Sequence, residues 1–416
     1  MNGTLRFTTA GSVDDGKSTL IGRLLLDTKG LLEDQVAAVA KATARRGAEG
    51  LDLSLFTDGL TLEREQGITI DVAYRYFATA KRRFIIADTP GHEQYTRNMV
   101  TGSTHADVSV ILVDATRGIS VQTRRHAAIA GLLAIPRVVV AVNKMDAVGW
   151  SRDAFEAIAG GFADVARALN LPKVTVIPLS ALEGDMVVER GRHLGWYEGP
   201  TLLELLEQAS VEGSAGPLRF PVQLVSRSRF GPRQERRGLA GRVESGTIAV
   251  GDAVLAWPNR LEARVAEVVT LDGALEVAGA GRSITVVLDR QVDVARGDLL
   301  SHHRDPPALA RRFQARLAWL DREPLALRGR YVLKHLTQTV RATVESLESR
   351  LDVASLQSLP AAGTLELNDL GNVRIAVARP LIADPYAQNR ATGSFILVDE
   401  ATNRTVAGGI LSGLEA

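Results

Sequence analysis

The sequence predicts an α/β domain followed by two small antiparallel β-barrel domains. Two observations lead to this fold class: the spacing of the apolar runs, and a change in sequence texture after about residue 212. Before that point, strand-like apolar runs alternate with longer segments of helical spacing. This alternation is typical of a mostly parallel sheet that is covered on both faces. Beyond it, short strand-like runs are separated by turn residues, which favours a sandwich or a barrel.

The predicted strands of the α/β domain are short, continuous apolar runs. Between the last two of them, residues 151–170 carry apolar residues at helical spacing and predict a helix. The five runs lie at residues 5–10, 83–88, 108–115, 137–143 and 173–180.

Two breaks in the pattern suggest the domain boundaries. Glycine and proline interrupt the α/β rhythm at residues 211–222, and a second break at residues 302–312 contains two adjacent prolines. We therefore expect three domains, at residues 1–212, 217–304 and 309–416.

Composition excludes several classes of protein. The 416 residues contain 49 basic and 48 acidic side chains, whereas a nucleic-acid-binding protein usually has a basic surplus or stripe. The absence of cysteine excludes disulfides, thiolate metal sites and a cysteine nucleophile. No apolar run approaches the ~18–20 residues that cross a bilayer, and the N-terminus lacks the order of a signal peptide. We expect a cytoplasmic protein with no membrane partner and no nucleic-acid partner.

A glycine-rich loop follows the first predicted strand and fits the pattern G-x-x-x-x-G-K-[ST]. In such a loop the glycines let backbone N–H groups surround phosphates, Lys17 would reach the β- and γ-phosphates, and the Ser18 hydroxyl would ligate Mg²⁺. The alternative, a chance glycine-rich turn, is disfavoured because the loop lies directly between a strand and a helix. The predicted phosphate-binding residues are Gly11, Ser12, Val13, Asp14, Asp15, Gly16, Lys17, Ser18 and Thr19.

Two further loops indicate that the nucleotide carries guanine. The Asp146 carboxylate can accept hydrogen bonds from the N1–H and N2–H₂ groups of guanine, whereas adenine would leave it unpaired. Backbone N–H groups after the strand at 173–180 could bind the guanine O6. Alone, the sequence "NKMD" could be an exposed loop with a helix N-cap, but the two loops follow the phosphate loop in this order. The predicted base-binding residues are Asn143, Lys144, Met145, Asp146, Ser180, Ala181 and Leu182.

The sequence "DTPGH" after the strand at 83–88 supplies the remaining predicted residues: Asp88, Thr89, Pro90, Gly91 and His92. Asp88 would hold Mg²⁺ through a water, and the Gly91 N–H would face the γ-phosphate. His92 would orient the attacking water, with a purely structural histidine as the alternative. Thr69 would bind Mg²⁺ only when a γ-phosphate is present. We therefore expect GTP and Mg²⁺ as cofactors, with Ser18, Thr69 and Asp88 as metal ligands.

Together these segments resemble the translation-factor class of GTPases. The resemblance is carried by "VDDGKST", "EREQGITID", "DTPGHEQYTRNMVTG", "NKMD" and "SAL". That class has a GTP-binding domain followed by two β-barrels. Two branches compete: elongation factors that carry aminoacyl-tRNA, and the GTPase subunit of bacterial sulfate adenylyltransferase.

Several segments are similar to the sulfate branch. Translation carriers usually have histidine in place of Asp15 and threonine in place of Ser18. Residues 329–344 and 384–409 are also similar to the sulfate subunit. This resemblance implies a GTP-hydrolysing subunit that drives formation of adenylylsulfate and pyrophosphate from ATP and sulfate. A smaller partner subunit would bind ATP and sulfate, in a heterodimer or a higher assembly. The alternative is an elongation-factor-type GTPase carrying aminoacyl-tRNA.

Three basic residues, Arg124, Arg125 and His126, stand near the start of a predicted helix. We expect them at the surface, because charged side chains are mostly solvated. They have no predicted role in the nucleotide site.

Overall fold

The computed structural model of the chain describes residues 2–31, 34, 36–37, 39–40, 43, 52–56, 71–210, 216–228, 236–360 and 363–415. The chain divides into two compact units. The first comprises Met1–Val211 with Asp352–Gln357, and the second comprises Glu212–Leu351 with Ser358–Ala416. Within the described ranges, no helix has both the length and the apolar character that crossing a bilayer requires.

The first unit contains a six-stranded sheet. Its strands are β1 (Asn2–Ala10), β2 (Ala73–Ala78), β3 (Arg82–Asp88), β4 (Val108–Asp114), β5 (Arg137–Asn143) and β6 (Val174–Pro178). The sheet order is β2-β3-β1-β4-β5-β6. All neighbours pair in parallel except β2, which is antiparallel to β3. The carboxyl ends of β1, β3, β4, β5 and β6 therefore lie along one edge of the sheet.

The described residues of this unit also form five α-helices. These are α1 (Lys17–Asp27), α2 (Thr96–Ser103), α3 (Val121–Leu132), α4 (Arg152–Ala168) and α5 (Leu202–Gln208). Helix α4 confirms the helix that was predicted at 151–170, and the Ser151 hydroxyl caps it by accepting the Ala154 N–H. Short 3₁₀ helices lie at Leu53–Phe56, Glu93–Tyr95 and Met145–Val148.

Burial explains which strands could be recognised from the sequence. Every residue of β4 is buried, and so is every residue of β5 except Arg137, as in parallel sheets that are covered on both faces. Strand β2 was not predicted, because it is an edge strand on which Tyr74 and Tyr76 are exposed. An alternating strand gives no continuous apolar run, whereas the five runs that were predicted all form strands.

The rest of the chain forms two antiparallel sheets. The first contains β7 (Phe220–Ser228), β8 (Arg236–Arg242), β10 (Ala253–Trp257), β11 (Leu261–Thr270), β12 (Gly273–Leu275), β14 (Ser283–Leu288) and β15 (Leu299–His302), beside a small pair of β9 (Thr247–Ala249) and β13 (Val277–Gly279). The second contains β16 (Ala308–Trp319), β17 (Tyr331–His335), β18 (Gln338–Asp352), β19 (Gln357–Pro360), β20 (Leu370–Ala383), β21 (Ser394–Asp399) and β22 (Thr405–Glu415).

Both sheets close into six-stranded barrels. In the first, the order β10-β15-β7-β8-β14-β11 closes where β10 pairs with β11. In the second, the order β17-β21-β22-β16-β20-β18 closes where β17 pairs with β18. Each barrel has its own apolar core, with Phe220 and Leu239 in the first and Phe313 and Trp319 in the second. Closure removes the exposed sheet edges, and the predicted fold class is confirmed.

A buried ion pair joins the two barrels. The Arg219 guanidinium binds Asp384 through two parallel hydrogen bonds, Nε to Oδ2 and Nη2 to Oδ1, each of 2.8 Å. The Thr392 hydroxyl donates to Asp384 Oδ2 at 2.6 Å, and Arg219 Nη1 donates to the carbonyls of Leu218 and Asp305. Because both charged side chains are largely buried and well paired, losing one of them leaves the other uncompensated.

We expect Arg219→Met to lower the free energy of unfolding by about 3–5 kcal/mol, because Asp384 would keep a buried charge without its partner. The matched control is Arg341→Met, since the Arg341–Glu400 pair lies on the surface and should contribute less than about 1 kcal/mol. Urea unfolding of the full chain, followed by circular dichroism, measures both. Equal shifts of the two midpoints would contradict this role of the ion pair.

Candidate nucleotide-binding site

The predicted phosphate loop lies between the end of β1 and the start of α1. Gly16 precedes the helix with φ 91°, a left-handed conformation that glycine adopts without strain. A Cβ atom at this position would overlap the side-chain amide of Asn143. Within the described part of the chain no side chain caps the start of α1, so its first N–H groups can bind an anion.

Lys17 curls back over this loop and is 8% exposed. Its Nζ donates to the carbonyls of Gly11 and Ser12 at 3.1 and 3.4 Å. Burial lowers the pKa of Lys17, and the negative charges of Asp88 and Asp15 oppose that effect. Among the described residues, the hydrogen bonds of this buried lysine thus go only to two carbonyl oxygens.

Asp15 lies within the same loop and is 4% exposed. Its Oδ2 accepts the Ser12 N–H at 2.6 Å, which closes the loop on itself. Burial raises the pKa of Asp15, while the Ser12 hydrogen bond and the Lys17 charge lower it. This carboxylate therefore helps to shape the loop from within.

The DTPGH loop is brought directly against the phosphate loop. The Thr89 hydroxyl donates to the Thr9 carbonyl at 2.6 Å, and the Thr9 hydroxyl donates to Asp88 Oδ1 at 3.3 Å. A Cβ atom on Gly91 would overlap the Gly11 carbonyl oxygen and crowd Lys17 Nζ. Only glycine permits this approach, so Asp88, Gly91 and Lys17 share one small region.

His92 follows Gly91 and is partly exposed. Its Nδ1 accepts the Gln94 N–H at 3.3 Å, and its ring lies 6.0 Å from that of Tyr95. Because Nδ1 is an acceptor here, the neutral ring carries its proton on Nε2.

Asn143, at the end of β5, connects the phosphate loop to the predicted base loop. Its Nδ2 donates to the Asp15 carbonyl at 2.8 Å, and its Oδ1 accepts the Ala181 N–H at 2.9 Å. The side chain is 2% exposed. Both ends of one buried amide are therefore used to hold two loops that are far apart in the sequence.

The rest of the NKMD loop is held by polar contacts. Lys144 has φ 64°, and its Nζ lies 2.7 Å from Asp114 Oδ2 at the end of β4. The Ser180 hydroxyl donates to Asp146 Oδ1 at 2.6 Å and accepts the Glu183 N–H at 3.1 Å. Ser180 thereby fixes the orientation of the Asp146 carboxylate.

The predicted residues of the four loops thus meet at the carboxyl ends of β1, β3, β5 and β6. Thr69, the third predicted metal ligand, lies outside the described residues. Ser18 stands at the first turn of α1 and Asp88 at the end of β3.

Helix α3 makes a contribution to the site that was not predicted from the sequence. The Ser120 side chain caps this helix and lies 3.1 Å from the Ser12 hydroxyl, while Gln122 Nε2 donates to the Gly91 carbonyl at 3.0 Å. A serine three residues before Thr123, at the start of the helical spacing, is the signal that could have marked the capping box. The start of α3 therefore supports both the phosphate loop and the DTPGH loop.

The prediction that His126 lies at the surface is wrong. On α3 it is 2% exposed, and its Nδ1 has no hydrogen-bond partner within the described part of the chain. Burial lowers the pKa of His126 to about 3, and the positive charges of Lys17 and Arg125 act in the same direction. The imidazole is therefore neutral in the folded protein at physiological pH.

Comparison with known proteins defines the class of this protein. The family model "Elongation factor Tu GTP binding domain" matches residues 2–212, and the model "GTP-eEF1A C-terminal domain-like" matches residues 312–412. The fold and these matches define a GTP-binding protein with a GTPase domain of the translation-factor class.

Individual relatives narrow this class. Sulfate adenylyltransferase subunit 1 of Methylorubrum populi is 49% identical over 98% of this chain and 86% of its own length. The same subunit of Aeromonas salmonicida is 48% identical over 99% of this chain and 88% of its own length. The bifunctional enzyme CysN/CysC of Rhodopirellula baltica is 49% identical over 98% of this chain, which spans 63% of that relative. The chain belongs to the sulfate adenylyltransferase subunit 1 family.

The buried His126 should make stability depend on pH. Its pKa is about 3 in the fold against an ordinary value of 6.5 in the unfolded chain, so between these values only the unfolded chain binds the proton. Stability is therefore complete above about pH 6.5 and is lost as the pH falls. Between pH 7.5 and 5, the loss from this group is about 2 kcal/mol.

Urea unfolding at pH 7.5 and at pH 5 tests this expectation. The His126→Gln variant should lose about 2 kcal/mol less than the wild type over that interval. His303→Gln is the matched control, because His303 is exposed on the surface. Parallel pH profiles for the wild type and His126→Gln would contradict the assignment.

Proposed function

We propose that the chain is the GTP-hydrolysing subunit of sulfate adenylyltransferase. It would couple GTP hydrolysis to the formation of adenylylsulfate and pyrophosphate, which a smaller partner subunit makes from ATP and sulfate. The observation that carries this proposal is the 45–49% identity to subunit 1 relatives over 98–99% of the chain. These relatives also favour the sulfate hypothesis over the elongation-factor alternative.

The phosphate loop fits a nucleotide phosphate for two reasons. The uncapped start of α1 offers N–H groups, and the backbone at Gly16 and Gly91 leaves no room for a side chain. We assign Lys17 to the β- and γ-phosphates, because it is a buried cation whose only hydrogen-bond partners among the described residues are two carbonyls. A phosphate would provide an anion at hydrogen-bond distance, which Lys17 lacks among the described residues.

The donor set also fits Mg²⁺. This ion keeps several waters and takes few protein ligands beside substrate phosphates. We assign the Ser18 hydroxyl as a direct ligand, Asp88 as a ligand through water, and Thr69 as a third ligand in the γ-phosphate state. When bound, the ion neutralises charge that develops on the phosphate oxygens. The Thr9 hydroxyl orients the Asp88 carboxylate for that role.

The base would lie between the NKMD loop and the loop at 180–182. Ser180 donates to Asp146 Oδ1, which leaves Asp146 Oδ2 and one lone pair of Oδ1 for the N1–H and N2–H₂ of guanine. Adenine would leave these carboxylate oxygens without a hydrogen-bond donor, and such a mismatch is disfavoured. The preset carboxylate therefore supports selection of GTP.

We assign His92 to positioning the attacking water. His92 directly follows Gly91, whose N–H would face the γ-phosphate, and in the neutral ring Nε2 carries the proton while Nδ1 accepts from Gln94. A protonated Nε2 donates to water and does not remove a proton, which agrees with a reaction that depends on placement and charge stabilisation.

Coupling would require that neither GTP hydrolysis nor adenylylsulfate formation proceeds without the other. The phosphate–sulfate anhydride lies uphill from ATP and sulfate, so hydrolysis of GTP can draw its formation forward only if the two events are linked. Bound GTP would be held by the loops of the first unit, and ATP and sulfate by the smaller subunit. The domain boundaries at 1–212, 217–304 and 309–416 and a cytoplasmic location remain predictions.

The test is GTP hydrolysis by the purified chain, alone and with the small subunit, ATP, Mg²⁺ and sulfate. We expect slow hydrolysis alone and a large increase only in the full mixture, together with adenylylsulfate. His92→Ala should lower the stimulated rate by about 10²-fold, with GDP affinity unchanged. Gln94→Ala is its matched control, because the backbone N–H that binds His92 remains. If tRNA or ribosomes, and not the small subunit, increase the rate of GTP hydrolysis, the result would contradict the proposal.

A further inference from the structure

Arg23 makes an unusual contact between helix α1 and the predicted base loop. It belongs to none of the loop motifs and lies two turns beyond the start of α1. Its Nε donates to the Ala181 carbonyl at 3.2 Å, and its Nη2 donates to the Leu182 carbonyl. One guanidinium therefore holds two successive carbonyls of the loop.

Because the peptide group is planar, holding its carbonyl also sets the direction of the N–H group that follows. In a trans peptide the C=O and the following N–H point in opposite directions. Holding the Ala181 carbonyl towards Arg23 therefore directs the Leu182 N–H away from Arg23. By the same geometry, holding the Leu182 carbonyl towards Arg23 directs the Glu183 N–H away from Arg23.

The hydrogen bonds of the neighbouring amides indicate the side of the loop towards which the Leu182 N–H points. The Ala181 N–H donates to Asn143 Oδ1, and the Glu183 N–H donates to the Ser180 hydroxyl, which itself binds Asp146. The Glu183 amide thus faces the Ser180 hydroxyl, which also binds the Asp146 carboxylate. Of the three, only the Leu182 N–H lacks an acceptor among the described residues.

We propose that Arg23 is a positioning residue for base recognition, which holds the peptide between Ala181 and Leu182 so that the Leu182 N–H is presented to the oxygen at position 6 of guanine. That oxygen is next to the N1–H that Asp146 would accept, so the two contacts read adjacent atoms of one base edge. The inference rests on the proposed function, because it takes the site to be a guanine site.

The nearby carboxylate of Asp27 does not account for the contact. Asp27 Oδ1 lies 3.5 Å from Arg23 Nη1, and both side chains are partly exposed, so the pair is a weak surface interaction. The fork geometry of arginine suits two adjacent carbonyls, which a lysine could not hold together. The role therefore depends on the guanidinium and not on its charge alone.

Calorimetric titration of the full chain with three diphosphates tests the inference. The probes are GDP, 6-thio-GDP, in which sulfur replaces the oxygen at position 6, and IDP, which lacks the 2-amino group. Arg23→Ala should weaken GDP binding by about tenfold. The wild-type preference for GDP over 6-thio-GDP should largely disappear in this variant, whereas its preference for GDP over IDP should remain.

Two further variants separate the carbonyl contacts from charge and folding. Arg23→Lys should lose GDP affinity to an intermediate degree, and it provides a second reading if Arg23→Ala does not fold. Asp27→Asn is the matched control, because it keeps both carbonyl contacts and should stay within about twofold of the wild type.

The outcomes are distinct. Unchanged GDP affinity in Arg23→Ala, or equal weakening of GDP and 6-thio-GDP, would overturn the role of Arg23 while leaving the proposed function intact. A wild-type chain that does not bind GDP would instead overturn the proposed function, and this inference with it.

Discussion

The candidate site depends on one buried amide, that of Asn143. Its nitrogen binds the Asp15 carbonyl in the phosphate loop and its oxygen binds the Ala181 N–H in the base loop. An aspartate could not replace it, because a carboxylate oxygen would face the carbonyl of Asp15. The amide also lies so close to Gly16 that no Cβ fits between them. The spacing between the phosphate loop and the base loop is therefore fixed by a single side chain.

Other contacts hold further parts of the base loop and the DTPGH loop in position. Arg23 holds the far side of the base loop, and Ser180 orients Asp146 from within it. Gln122, at the start of α3, holds the carbonyl of Gly91 in the DTPGH loop. Since each loop leaves a parallel strand at the same sheet edge, short polar contacts suffice to set their relative positions. A nucleotide would then meet described loops that already hold one another in place.

Much of the fold could be predicted from the sequence, because continuous apolar runs mark buried parallel strands. Strand β2 could not be recognised in this way, because Tyr74 and Tyr76 face solvent at the sheet edge. The barrel class was predicted from texture, but the closure of β10 on β11 depends on pairing between strands, which spacing alone does not specify. The surface prediction for His126 was wrong because its basic character was given more weight than its position on the helix. It lies three residues before the buried Ile129 and three after the buried Thr123.

Only those residues of the site that belong to sequence motifs could be predicted. The motif residues of the four loops are local in sequence, so a pattern can find them. Arg23 and Ser120 act through contacts with residues 158 and 108 positions away, and no local pattern records such a partner. The roles assigned to the motif residues in binding GTP and Mg²⁺ remain proposals.

The most direct test of the central role of Asn143 is the GDP affinity of Asn143→Ala, measured by calorimetry on the full chain in the presence of Mg²⁺. If Asn143 sets the spacing of the phosphate and base loops, GDP affinity should fall by at least about 100-fold while the chain still unfolds cooperatively. An affinity within about threefold of the wild type would contradict that role, because the two loops would then keep their positions without the amide that joins them.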